Sequence, residues 1–255
     1  MTNYKSKNLV NPPIKEAIFA IYFTDIIGVE KLNNFQVTDY VRTKYPIIKP
    51  NYKFQVTNKN PVSSNSNKPE IHTTHHQEGY TLQCESDGNN LIQVFPTHLS
   101  YHNFNKYAGW DSMYSELKEI WKVFCESVGK NNISRLNVRY INQLLLPLPL
   151  KNGFGDYIKL LPQIPSNLNQ SVNNFFMQVN IPDASNEMQG TITETILPNP
   201  KHPNSLNFLI DLSVLKQGPF ECSGSKIWDS LTKMREFKNE LFFSCITEEA
   251  ENLFI

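Results

Sequence analysis

Two groups of residues have the types and spacing for chemistry. His72, His75 and His76 form H-x-x-H-H, with Glu70 and Glu78 on either side. Imidazole and carboxylate together can hold a divalent metal. The spacing matches no closed site, and the surrounding Asn, Ser, Lys and Pro offer no rigid support for one. A solvated loop is therefore expected, and neither a metal nor a cofactor is called for. Arg135 and Arg139 stand four apart in ISRLNVRYINQLLL. On a strand this spacing puts both guanidinium groups on one face, about two pleats apart, and Asn142 on the other. Two arginines on a face can grip a carboxylate or phosphate, so they are the expected ligand-binding residues for a small anion. The competing expectation is ion pairing with acids of facing helices, such as Glu116 or Glu119.

Other candidates have structural explanations. Asp111 and Asp229 each follow a tryptophan at a helix start, where an acid complements the helix dipole. Cys84 or Cys222 with His98 would make a Cys–His pair, but nothing local activates a thiolate. G-x-S-x-G, a phosphate-cradling glycine loop, a zinc ribbon and H-E-x-x-H are all missing from the sequence. No catalytic residue is assigned. The run YHNFNKYAGW carries Tyr101, Phe104, Tyr107 and Trp110 into a helix. It either plugs the end of a sheet or presents an aromatic anchor patch to a partner protein.

The elements that position these residues follow from periodicity. Trp110, Met113, Tyr114, Leu117, Ile120, Trp121, Phe124 and Val128 recur at three and four, one broad apolar face on a helix of about five turns. A matching helix runs from Trp228 to Ile246. Strands are expected at 14–23, 52–57, 79–85, 90–102, 133–146, 174–181, 188–197 and 206–215. Helices are expected at 29–45 and, briefly, at 156–161. The segment 58–78 reads as a long exposed loop, and Asp87-Gly88-Asn89 as a hairpin turn. Trp110-Asp111-Ser112 matches Trp228-Asp229-Ser230 at a shift of 118 residues within a similar order of elements. The expected fold is α+β. It has two pseudo-repeated halves, 1–130 and 131–255, each a curved antiparallel sheet with a helix on one face, packed as one unit.

Composition narrows the classes. The chain has 24 basic and 24 acidic side chains, a balance that disfavours direct nucleic-acid binding. Its apolar runs are far shorter than the ~20 residues a membrane span needs. The N-terminus has no apolar core of a signal peptide. Cys84, Cys125, Cys222 and Cys245 form no C-x-x-C pair, and free buried thiols in a cytoplasmic protein are expected.

Pro12-Pro13-Ile14-Lys15-Glu16-Ala17, the R-x-x-x-R-Y-I-N of Arg135 to Asn142, and Phe242-Phe243-Ser244-Cys245-Ile246-Thr247 before Leu253-Phe254 carry a resemblance. Over nearly its whole length the chain resembles an uncharacterised, sporadically distributed family of bacterial proteins. Many members carry a histidine about one and a half turns before the last helix's phenylalanine, where this chain has Met234-Arg235-Glu236. The resemblance implies a compact α+β protein in a patchily inherited context of the toxin–antitoxin or antiviral defence kind. The expected function is a non-enzymatic protein-interaction or regulatory protein, a sensor or antitoxin-like component of a phage-defence module. Its partner would be another protein encoded nearby, or a second copy in a homo-oligomer. The alternative is a small anionic ligand-binding protein or enzyme that uses the cleft between the halves.

Overall fold

Alternation along the central strands decides the layering. In β1 (Ile14–Phe23), Ala17, Phe19, Ile21 and Phe23 are buried, whereas Ile18 and Tyr22 stay partly open. In β6 (Ile133–Pro147), Leu136, Val138, Tyr140, Asn142, Leu144 and Leu146 point inward, and Arg135, Asn137 and Arg139 point the other way. A pleated strand presents alternate side chains to opposite faces, so each strand has a core side and an open side. The computed structural model of this 255-residue chain describes Tyr4 and residues 7–59, 70–85, 89–151, 153–165, 167, 172, 174–198 and 204–255.

The remaining strands are β2 (Ile47–Lys59), β3 (Glu70–Gln83), β4 (Asn90–Phe95), β5 (His98–Phe104), β7 (Phe176–Asp183), β8 (Met188–Leu197) and β9 (Ser205–Phe220). All lie in one nine-stranded sheet, in the order β2-β3-β4-β5-β1-β6-β9-β8-β7. Every neighbouring pair is antiparallel. The helices are α1 (Val29–Gln36), α2 (Asp39–Lys44), α3 (Trp110–Val128), α4 (Lys226–Cys245) and α5 (Glu248–Asn252).

The long helices cover one face of that sheet. On α3, the Trp110 ring meets Phe19 edge-on at 5.2 Å, and Phe124 stacks on Phe23 at 5.3 Å. On β8, a Cβ added to Gly190 would lie 2.5 Å from Leu241 Cδ1 of α4, so helix and strand approach closely where no side chain intervenes. The fold is α+β, a single antiparallel sheet with helices on one face and one contiguous buried core. Among the described residues, no helix is long and apolar enough to cross a membrane.

Several expectations need correction. The helix expected over 29–45 is two helices, because the Thr38 hydroxyl caps α2 by accepting from the Val41 amide at 3.3 Å. The stretch expected as one strand over 90–102 is two, with a tight reversal at Pro96-Thr97 between β4 and β5. The segment expected as a loop over 58–78 is largely strand, since β2 runs to Lys59 and β3 starts at Glu70. Residues 60–69 lie outside the described set, as do Asp87 and Gly88 of the expected hairpin turn. The short helix expected over 156–161 is a single 3-10 turn at Phe154–Asp156. Cys84 and Cys245 are in no disulfide, but Cys125 on α3 and Cys222 sit sulfur against sulfur, against the expectation of four free thiols.

Candidate interaction site on the open sheet face

The face of the sheet opposite the helices carries the two arginines. Register pairing arranges its side chains in rows that run across the strands. Phe95, His98, Tyr22 and Arg135 stand directly opposite one another on β4, β5, β1 and β6. Their rings stack in sequence: Phe95 on His98 at 4.9 Å, His98 on Tyr22 at 5.1 Å, and the Arg135 guanidinium on Tyr22 at 3.8 Å. This is a cross-strand ladder closed at one end by a cation–π contact. Two residues along each strand, about 7 Å away, lies a row of smaller groups, Ser100, Ala20 and Asn137. Ser100 and Ala20 are only 3% and 4% exposed, so they form the floor of a trench. Its far wall is His102, Ile18 and Arg139.

The charges on this face are unequally compensated. Arg139 is held by Asp211 of β9, with Nε donating to Oδ1 at 2.9 Å. That bond first, and the charge behind it, pushes the Arg139 pKa upward. The ion pair expected with Glu116 or Glu119 is not formed: Glu116 lies on the helix side and accepts from Tyr40 at 2.5 Å and from Tyr45 at 3.0 Å. His102 meets Glu16 through Nδ1 at 2.8 Å. Burial, followed by the charges of His102 and Arg135, lowers the pKa of His98. Arg135 is different. Its Nε is buried without a hydrogen-bond partner, and among the described residues no carboxylate pairs with it. The trench opens beside it into a cup of about 350 Å³, with Thr191, Thr193 and Ser213 on its rim.

One arrangement here has the connectivity of an acyl-transfer relay. Ser100 Oγ lies 2.9 Å from His102 Nε2, and His102 Nδ1 meets Glu16. The chemistry does not follow, because Ser100 sits on the trench floor of an interior strand. The amides around it are spent on pairing with Ala20 and Gln93, which leaves no donor for a developing oxyanion. The chain of bonds fixes the imidazole as part of the wall. Arg135 and Arg139 thus lie on one face as the spacing predicts, one paired and one available. The trench beside them was not legible, because it depends on the register of β5 on β1.

The aromatic run divides. Tyr101 is 2% exposed and points into the core, where its hydroxyl donates to Asn90 at 3.2 Å. Trp110 is also buried, at 7% exposure. Tyr107 shares a hydrogen bond with Tyr140 at 3.0 Å on the helix side. Phe104 alone reaches the open face, stacked on His102 at 5.9 Å. Of the histidine motif, the His72 side chain lies outside the described set. His75 and His76 are consecutive on β3 and so face opposite ways, with His75 edge-on to Tyr52 at 5.8 Å. Comparison with protein-family models, with curated proteins and with solved structures found no match to this chain.

Proposed function

We propose that the chain is a non-enzymatic interaction protein of the regulatory or sensor type, which docks a partner protein on its open sheet face. The observation that carries this reading is Arg135: a half-buried guanidinium, held 3.8 Å over the Tyr22 ring, with no carboxylate paired to it among the described residues, at the head of a trench walled by rings. Aromatic rings and arginine are the side chains that dominate protein–protein binding energy. The partner segment that fits is extended and places a carboxylate at Arg135. A cytoplasmic setting, a partner encoded nearby and an antitoxin-like role in a defence module belong to the same proposal, motivated by the family resemblance. So does the duplication. About the β1–β6 seam the strand order runs β5-β4-β3-β2 on one side and β9-β8-β7 on the other, each side starting with its own last strand, and this supports two pseudo-repeated halves that differ by one strand.

The test is co-expression with the products of neighbouring genes, with a photo-crosslinking residue placed at Tyr22 or, as a control, at exposed Lys122 on α3. Crosslinks from position 22 alone, lost in Arg135→Glu, are the expected result. Equal crosslinking from both positions, or none from position 22, would overturn the reading.

A further inference from the structure

On the helix side, segments far apart in sequence converge on a second cavity of about 400 Å³. Pro12, Pro13 and Ile14 enter from the N-terminal strap, Asn142 from β6, and Phe242 and Phe243 from α4. Leu9 and Trp110 complete an apolar wall. At the polar end stands Arg235 of α4. Its guanidinium lies 5.4 Å from the Trp110 ring and donates to Asn8 Oδ1 at 3.2 Å, and no carboxylate pairs with it among the described residues. Asn142, 3% exposed, spends its amide N–H groups on the carbonyls of Tyr140 and Ile210, so it has no donor left for an anion and serves as part of the wall. Behind this wall lies Lys238, buried, bonded to Asn239 Oδ1 at 2.6 Å and seated 4.1 Å over the Tyr140 ring.

The field in the cavity is therefore positive. Lys7 is already taken by Glu251, so it adds little. Asp111 is the acid on the lining, and it is exposed at the surface end. Among the described residues no carboxylate pairs with Arg235. The cavity is also the place where α3 begins, and its N-cap, Gly109, has no side chain to bind the first amides. Those amides reinforce a polarity that Arg235 sets.

We propose that this cavity binds a small organic oxyanion, a carboxylate or phosphate monoester with an apolar body, its head group on Arg235 and its body against Trp110 and Phe242. A charged donor in a partly buried site gives bidentate, charge-assisted bonds to such a head group. The apolar wall accounts for the body, which a bare inorganic ion lacks.

The probes are phenyl phosphate, benzoate, inorganic phosphate and benzyl alcohol, titrated into the full chain and followed by two-dimensional amide NMR and calorimetry. The expected result is binding of phenyl phosphate or benzoate with a Kd below about 1 mM, with shifts confined to residues 7–14, 107–112, 142 and 235–243. Benzyl alcohol should not bind, and inorganic phosphate should bind at least about tenfold more weakly than phenyl phosphate. Arg235→Gln should weaken binding by about tenfold or more. Val10→Asp, a change at an exposed lining position (75% exposed), should weaken it several-fold without disturbing the core. The head group that binds distinguishes carboxylate from phosphate. Shifts centred on Arg135, equal binding of benzyl alcohol, or no binding of either aromatic anion would each overturn the proposal.

Discussion

Glu194 and Lys238 are a buried carboxyl and a buried amine whose titration the core shifts in opposite directions. Glu194 is 0% exposed, and burial raises its carboxyl to about 8 despite the opposing bond from the Cys245 thiol. An unfolded glutamate titrates near ~4.3. Between those values the folded chain keeps a proton that the unfolded chain releases, so this group makes stability fall as pH rises from ~4.3 to ~8. Glu194→Gln should flatten that slope and raise stability at pH 8 by about 1–3 kcal/mol, read from urea midpoints at pH 5 and pH 8. An unchanged slope would clear the carboxyl of responsibility. Lys238 acts with the opposite sign. Burial, then the charge of Arg235, lowers its amine to about 7, against ~10.4 when unfolded. Folding is thus disfavoured at and below pH 7, and this group's contribution recovers as pH climbs toward ~10. Lys238→Met should remove that recovery and add on the order of 1–3 kcal/mol at pH 7. Neither residue was legible beforehand. Glu194 sits between Thr193 and Thr195 in GTITETIL, a pattern that reads as solvent-facing, and only the seating of α4 on β8 turns that side inward.

The helices were the most legible elements. Trp110 to Val128 shows its face through spacing alone, and the buried set of α3 includes Trp110, Met113, Leu117, Ile120, Trp121 and Phe124. Leu117→Ala should therefore cost about 3 kcal/mol, measured by denaturant unfolding with unchanged m. The approach of α4 to the sheet makes a sharper test. Gly190 faces Leu241 and Phe237 so closely that Gly190→Val should lose more than 2 kcal/mol and exceed Gly190→Ala, by displacing the helix. Equal, small losses would mean that α4 shifts freely. The long hairpin was misread for a physical reason. Beyond the irregularity at Asn51 and Tyr52, β2 and β3 pair only with each other, and Tyr52, Phe54, His75 and His76 are exposed there, so no buried face reports a periodicity. Likewise, Thr38 ends one helix and caps the next through a single hydroxyl, a signal as short as one residue.

At the scale of the molecule, β1 and β6 form the seam where residues 1–130 and 131–255 meet in the sheet. Each is an interior strand, and neither has a full set of backbone partners without the other. Residues 1–130 and 131–255 expressed separately should each be insoluble or poorly folded, and together should recover a 1:1 species by size exclusion. Two independently soluble, folded halves would contradict this. The sequence pointed to two similar halves but could not show one continuous sheet, because edge and interior strands share the same alternation. The seam also sets a timetable for the newborn chain. During synthesis β1 emerges early, yet its partner β6 follows on the order of 100 residues later, several seconds at ordinary translation rates. For that interval β1 offers an open, apolar edge to any neighbouring strand. The stiff Pro12-Pro13 pair, which cannot donate hydrogen bonds, stands directly before it. This prolines-first arrangement blunts one end of the exposed edge and leaves the rest to whatever guards nascent chains.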